Sequence, residues 1–279
     1  MRNLRELTRY PAAIVGMLLV FGLFALAFYA LVTIPYSEAV RLWRGGEDVW
    51  YNTPKTAGPV WTNLFRTQDL PPTIDMTTTD GSVAKTVTQA ANDTTDIDFA
   101  FTFDHPYTAF PQELSVFFTA TYAEKAPHVS LTWLTPDGRE IRVASIPIDK
   151  SSVTYRISQD DKLRRRLGGD LPPHQGLFAD PASETLVALP GTYTLQASVT
   201  TFEPGSDVDA EFVSYGQVHG LAGTDHRRRD LSVALLWGTP IALAFGLLAA
   251  LGTTVTTMII AAVGTWYGGW VDALIQRIT

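Results

Sequence analysis

The sequence contains no cysteine. Disulfides, thiolate metal sites, cysteine nucleophiles and lipoprotein anchoring are therefore excluded. Charge is also scarce, at 18% of 279 residues, and it is missing altogether from residues 12–34 and 231–271. Two such stretches in one chain argue against a fully soluble globular protein. Catalytic signatures are absent as well. There is no HExxH pair, no GxSxG elbow and no P-loop, and the five histidines are scattered. The expectation is a protein that is not an enzyme and that carries neither cofactor nor metal. Finally, the chain lacks a basic excess. Its net charge is −7, and residues 35–230 hold 17 basic against 26 acidic side chains. An acidic segment of that kind does not attract nucleic acid, because neutralising phosphates needs a basic face.

What is present is apolar and patterned. Residues 12–34 are 23 uncharged residues, which as a helix at ~1.5 Å per residue run about 35 Å. That exceeds the roughly 20 residues a bilayer core requires. Tyr10 and Tyr36 lie at its ends, and Pro35 stops it. Arg2, Arg5 and Arg9 precede it, so the positive-inside rule puts the N-terminus in the cytoplasm. Ala25-Leu26-Ala27 resembles a signal-peptidase site, but the run is longer than an ordinary signal core and continues past it. A retained transmembrane helix is expected.

Residues 231–271 form a 41-residue uncharged stretch, too long for one simple span. Gly238-Thr239-Pro240 is expected to divide it into a short interfacial helix and a spanning helix. The latter is rich in Gly, Ala and Thr, a composition that lets helices pack closely in lipid. Two spans of opposite direction leave the intervening segment extracytoplasmic. Six of the seven tryptophans (Trp43, Trp50, Trp61, Trp237, Trp266, Trp270) fall near these boundaries, as interfacial belts do.

Between the spans, residues 37–44 read as a short interfacial helix with Ser37 as N-cap. Residues 45–95 show little periodicity and read as an extended lead-in. Strand patterns follow. Ile97, Phe99, Phe101 and Phe103 alternate with polar neighbours, and similar alternation recurs over 114–122, 129–133, 193–202 and 208–215, with a further short run at 186–189. Thr135-Pro136-Asp137-Gly138 is a turn joining 129–134 to a further strand at 139–146 as a hairpin. Six or seven such strands argue for a β-sandwich. One helix is expected at 159–167, capped by Ser158, with Arg164, Arg165 and Arg166 as a solvated end.

The most informative stretch is 219–279. It reads HGLAGTDHRRRDL from His219, then Leu235-Leu236-Trp237-Gly238, and later Tyr267-Gly268-Gly269-Trp270-Val271-Asp272, with Arg277 near the end. This resembles the C-type permease subunits of dipeptide/oligopeptide ABC importers. That family carries a pattern like H-x-L-G-T-D-x-x-G-R-D-x-x-S-R-L-L-W-G-A-R-I-S-L before its second span and G-Y-x-G-G-W-x-D-x-x-x-M-R after it. Departures exist. Arg228 stands at the family glycine, Ala234 and Pro240 at two arginines, and Gln276 at a methionine. The outer segment is much larger than the family's loop, and the chain ends where a third span is expected.

The resemblance implies a plasma (inner) membrane permease portion importing peptides or similar small solutes without doing chemistry itself. It implies as partners a second permease subunit, two ATP-binding subunits, an extracytoplasmic solute-binding protein and the lipid bilayer. The candidate interface residues are Gly223, Thr224, Asp225, Arg229, Asp230, Trp237, Gly238, Gly268, Gly269, Asp272 and Arg277. A bottom-up reading of the same charges is that Asp225 and Asp230 pair with the adjoining arginines and position the following helix. The alternative function is a two-span protein whose outer β-domain binds or senses a ligand without transport.

The expected organisation is a cytoplasmic tail (1–11), a transmembrane helix (12–34), an interfacial helix and lead-in (35–95) and an extracytoplasmic β-sandwich (96–218). The permease motif with a second interfacial helix (219–240), a second transmembrane helix (241–264) and a cytoplasmic turn beginning a next helix (265–279) complete it.

Overall fold

The computed structural model describes residues 11–46, 48–89 and 94–278, apart from the side chains of Val271, Asp272, Gln276 and Ile278. The expected cytoplasmic tail, except Pro11, lies outside the described residues. In chain order the elements are α1 (Pro11–Thr33), α2 (Tyr36–Arg44), a 3-10 turn (Val60–Phe65), β1 (Ile74–Thr77), β2 (Lys85–Gln89), β3 (Thr95–His105) and β4 (Glu113–Thr121). Then come β5 (His128–Leu134), β6 (Glu140–Pro147), β7 (Ser152–Arg156), a second 3-10 turn (Ile157–Gln159), α3 (Asp161–Arg166) and α4 (Pro173–Phe178). β8 (Gly191–Thr201), β9 (Asp207–Tyr215), α5 (Leu231–Tyr267) and α6 (Gly269–Ile278) follow. The chain divides into two compact units: one is made of the residues up to Gly45 and from Ser232 onward, the other is Gly46–Leu231.

In the helical unit, α1 and α5 are each long and apolar enough to cross a membrane, and almost none of their apolar surface is buried in the protein. The expected break at Gly238-Thr239-Pro240 does not occur, and α5 runs through it as one helix. A proline removes a single backbone donor, a loss that a long apolar helix tolerates. The hydroxyl of Thr239 bonds the Leu235 carbonyl at 2.9 Å. Thr253, Thr254 and Thr265 likewise donate to carbonyls one turn back. Every one of these threonines is thereby satisfied within its own helix, as apolar surroundings demand. Ser37 is not a cap: α2 starts at Tyr36 behind Pro35, whose fixed φ of −55° suits a helix entrance. Glu38 and Arg41 pair at 2.7 Å on its surface.

The other unit is a sandwich of two antiparallel sheets. One has strand order β1-β9-β4-β7, the other β2-β3-β8-β5-β6. Alternation sets the inner faces: Ile97, Phe99, Phe101 and Phe103 of β3 are buried while Asp98, Thr102 and Asp104 point outward. Aromatic rings join the sheets, with Phe101–Phe212 at 5.9 Å, Phe103–Phe212 at 5.6 Å and Trp133–Phe212 at 6.1 Å between centroids. The turn at 135–138 forms as read, with Gly138 at φ 83° and its N–H on the Thr135 carbonyl. A bulge opposite Leu131 and Thr132 lets the consecutive residues Val143 and Ala144 both turn inward.

Five expectations need correction. The stretch 45–95 is not merely a lead-in, since it supplies edge strands β1 and β2. β2 exposes most of its side chains, so no alternation marks it. β7 was likewise not expected. Residues 186–189 are no strand and make one bridge, Ala188 to Ala179. Helix α3 is capped by Asp160, which accepts from the N–H of Lys162 and Leu163, while Ser158 accepts from the Leu114 N–H instead. At the end of α3, Arg166 is not simply solvated. It donates to the carbonyls of Arg142 and Val143 at 2.6 Å each.

Candidate functional site

The loop leading to α5 lies against the segment that enters the sandwich. The N–H of His219 bonds the Gly58 carbonyl at 2.8 Å, Val60 bonds Gly220 at 3.0 Å, and Thr224 bonds Ala57 at 2.9 Å. Thr224 is buried, and its hydroxyl donates to the Pro54 carbonyl at 2.7 Å while accepting from the Ala57 N–H at 3.0 Å. Gly223 has φ 76°, and a Cβ there would run into the Ala57 carbonyl.

Asp225 organises the turn that follows. One of its oxygens accepts from the N–H groups of Arg227 and Arg229 at 2.8 and 3.0 Å. The other accepts from Arg229 Nε and Nη2 at 2.9 and 2.6 Å. Burial works against the charge on Asp225, but the Arg229 guanidinium and the two amides prevail and hold its carboxyl below the ordinary range. Leu231, the first residue of α5, donates its N–H to the Gly223 carbonyl at 3.0 Å. Asp230 lies beside Gly220 and His219, and burial lowers the imidazole's affinity for a proton despite that carboxylate.

Arg228 stands apart from Arg227 and Arg229. Its backbone has φ 66°, and its side chain is buried. The guanidinium pairs with Glu113 of β4, donates to the Thr53 carbonyl at 2.6 Å and lies over the Tyr215 ring. The Thr53 hydroxyl returns a bond to the Arg228 carbonyl. No sequence signal distinguished it beyond its standing at the glycine position of the resembled motif.

Arg228 also forms one end of a cleft of about 380 Å³ on the outward face of β9, β4 and β7. Strand register lines this cleft up. Phe117 is flanked by Glu211 on β9 and Thr154 on β7, and Ser115 lies beside Arg156. The Tyr51 ring meets Phe117 edge-on at 4.9 Å, and its hydroxyl donates to Glu211 at 3.1 Å. Burial and the charge of Asp75, diagonal to it across β1 and β9, push the Glu211 carboxyl up to about 7. The cleft thus offers an aromatic floor, hydroxyls, a guanidinium and a carboxyl that titrates near neutrality.

The remaining sequence candidates lie in the helical unit. Trp237 and Gly238 border an apolar notch of about 210 Å³ with Ala39 and Trp43, and the Trp237 ring lies 5.6 Å from that of Tyr36. Gly268 and Gly269, at φ 59° and 58°, break the chain between α5 and α6. Arg277 is exposed in the last turn of α6; of Asp272 only the backbone, inside that helix, is described. The loop candidates Gly223, Thr224, Asp225, Arg229 and Asp230 come together within the sandwich unit, and the other six belong to the helical unit. Among the described residues, no group of three His, Asp or Glu could hold a metal ion.

No family model matches the chain, and no curated protein sequence does. Among solved structures, similarity is found to the carbohydrate-binding module TmCBM61 in complex with beta-1,4-galactotriose. It is 13% identical with a TM-score of 0.22, over 55% of this chain and 90% of that one. Similarity is also found to infectious bursal disease virus, Gx strain, 14% identical with a TM-score of 0.26, over 53% of this chain and 31% of the viral one. Likenesses this weak say nothing about what the chain binds.

Proposed function

We propose that this chain is a membrane-spanning permease portion of a binding-protein-dependent ABC importer for peptides or similar small solutes. In this reading α1 and α5 cross the plasma membrane, the N-terminus is cytoplasmic and the sandwich is extracytoplasmic. The observation that carries the reading is the backbone at Arg228. Its φ of 66° is the left-handed conformation that glycine adopts most easily, and the resembled motif has glycine at this place. Gly223 is left-handed too, and Asp225 and Arg229 close the turn between them. The residues of the motif thus have a shared structural reason: they build a tight turn at the head of an apolar helix.

The turn does no chemistry. Asp225 and Arg229 satisfy one another, and the Gly223 carbonyl takes the Leu231 N–H where α5 begins. In this reading transport involves a second permease subunit, ATP-binding subunits and a solute-binding protein. The test is purification of the protein from its native membrane, followed by peptide uptake in proteoliposomes. Co-purifying ATP-binding subunits and ATP-dependent uptake are expected. A well-folded preparation with neither sinks the reading.

The cleft around Phe117 favours a second reading, in which the sandwich binds a small polar ligand and no transport follows. Ligand binding that Arg156→Ala abolishes, in a protein with no ATPase partner, decides for it.

A further inference from the structure

The 3-10 turn Val60–Phe65 carries large apolar side chains that nothing in the sandwich covers. Leu64 is 83% exposed and Phe65 82%, and the neighbouring Leu221 is 80% exposed. Trp61 is half-exposed, its ring edge-on to Phe65 at 6.3 Å. Its indole N–H is already used, donating to the Leu221 carbonyl at 2.9 Å. That bond ties the two segments together and leaves the indole ring outward with its polar atom satisfied. Four adjacent exposed apolar side chains mark a surface that meets something apolar.

We infer that Trp61, Leu64, Phe65 and Leu221 form a tip that dips into the lipid interface. This rests on the reading of α1 and α5 as membrane spans. Three features select lipid as the occupant. Leu221 is two residues from Gly223, whose carbonyl holds the N–H of Leu231, the residue from which the chain runs directly into the apolar stretch read as a span. A tryptophan beside aliphatic side chains is the composition of membrane interfaces. Arg66 follows Phe65 directly, and Arg227 is exposed in the same loop. Cations beside inserted apolar residues complement anionic headgroups. Asp69 is the exposed acidic neighbour.

The absence of cysteine makes the test direct, because any introduced thiol is unique. The full chain is reconstituted in phosphatidylcholine–phosphatidylglycerol vesicles containing doxyl-labelled lipid. Single variants Leu64→Cys, Leu221→Cys, Val87→Cys and Leu248→Cys each carry an environment-sensitive fluorophore. Val87 is an exposed position on β2 and Leu248 lies within α5. The labels at 64 and 221 are expected to be quenched by shallow doxyl groups at least about two-fold more than the label at 87. Quenching at 248 without quenching at 64 and 221 overturns the tip and leaves the spans standing. Labels at 64 and 221 that are shielded from water yet unquenched also overturn it, since a protein partner then covers them. If 248 itself is not quenched, the spanning reading fails and the tip has no surface to dock on.

Discussion

The guanidinium carbon of Arg228 lies 4.4 Å from the centre of the Tyr215 ring. Tyr215 in turn donates its hydroxyl to the Tyr51 carbonyl, and burial pushes its own ionisation up to about 12. The loop before α5 is therefore keyed into the sandwich by a cation held between an aromatic face, a carboxylate and a backbone carbonyl. A residue with a positive φ contributes this key, so backbone strain and side-chain gain oppose each other at one position.

That opposition can be measured. Arg228→Ala leaves Glu113 without its partner and keeps the strain, and is expected to destabilise the sandwich by about 3 kcal/mol. Arg228→Gly loses the same contacts but relaxes the backbone, and is expected to be about 1 kcal/mol less harmful. Pulse proteolysis of the purified full chain reports both. Equal losses would show that φ at this position is immaterial.

Gly223 faces a stricter constraint. In Gly223→Ala the new methyl meets the Ala57 carbonyl on a left-handed backbone, so the hydrogen bonds between 57 and 224 must shift. A loss of at least about 2 kcal/mol is expected, with faster hydrogen exchange at the Thr224 and Leu231 amides. Unchanged exchange at those two amides contradicts the prediction.

Asp225 predicts acid sensitivity. Its carboxyl is depressed in the folded state, so its contribution is present above the ordinary carboxylate range and disappears as pH falls through the folded value. Asp225→Asn is expected to cost about 2 kcal/mol at pH 7 and to differ little from the parent in strong acid. Unfolding midpoints from pH 2 to 7 test this; a constant gap across that range refutes it.

Glu211 predicts the opposite slope. Its carboxyl is raised to about 7 from an ordinary 4.5, so the folded state holds the proton more tightly. The stability this provides is full below pH 4.5 and is lost as pH rises through about 7. Asp75 and the Tyr51 hydroxyl face it directly, and Asp48, Arg156 and Arg228 share the cleft. Glu211→Gln is expected to flatten that decline and to be about 1 kcal/mol more stable than the parent at pH 8, solvent screening allowed for. A parent protein equally stable at pH 5 and pH 8 speaks against it.

The parts of the fold that were legible in the sequence are those with one face in the core. Ile97, Phe99, Phe101 and Phe103 alternate with the outward Asp98, Ala100, Thr102 and Asp104 because β3 lies between two strands and over a packed interior. Thr135-Pro136-Asp137-Gly138 was legible because turn chemistry is local. β2 was not, because Val87 is exposed and an edge strand with no buried face leaves no period. The continuity of α5 was missed because a proline that breaks a helix in water costs less in a long apolar one. In the candidate loop, the Asp225–Arg229 pair could be anticipated from spacing alone. The Arg228–Glu113 pair could not, since 115 residues separate its members. Only the folded sandwich brings β4 to the loop.

The bonds between 57–60 and 218–224 carry one further consequence. They pin the two ends of the sandwich to each other, with Gly58 and Val218 bridged side by side. A segment whose ends already touch meets its loop-closure cost within itself. The sandwich is in that sense a self-closed cassette, whose closure depends on its own backbone bonds and not on the helices.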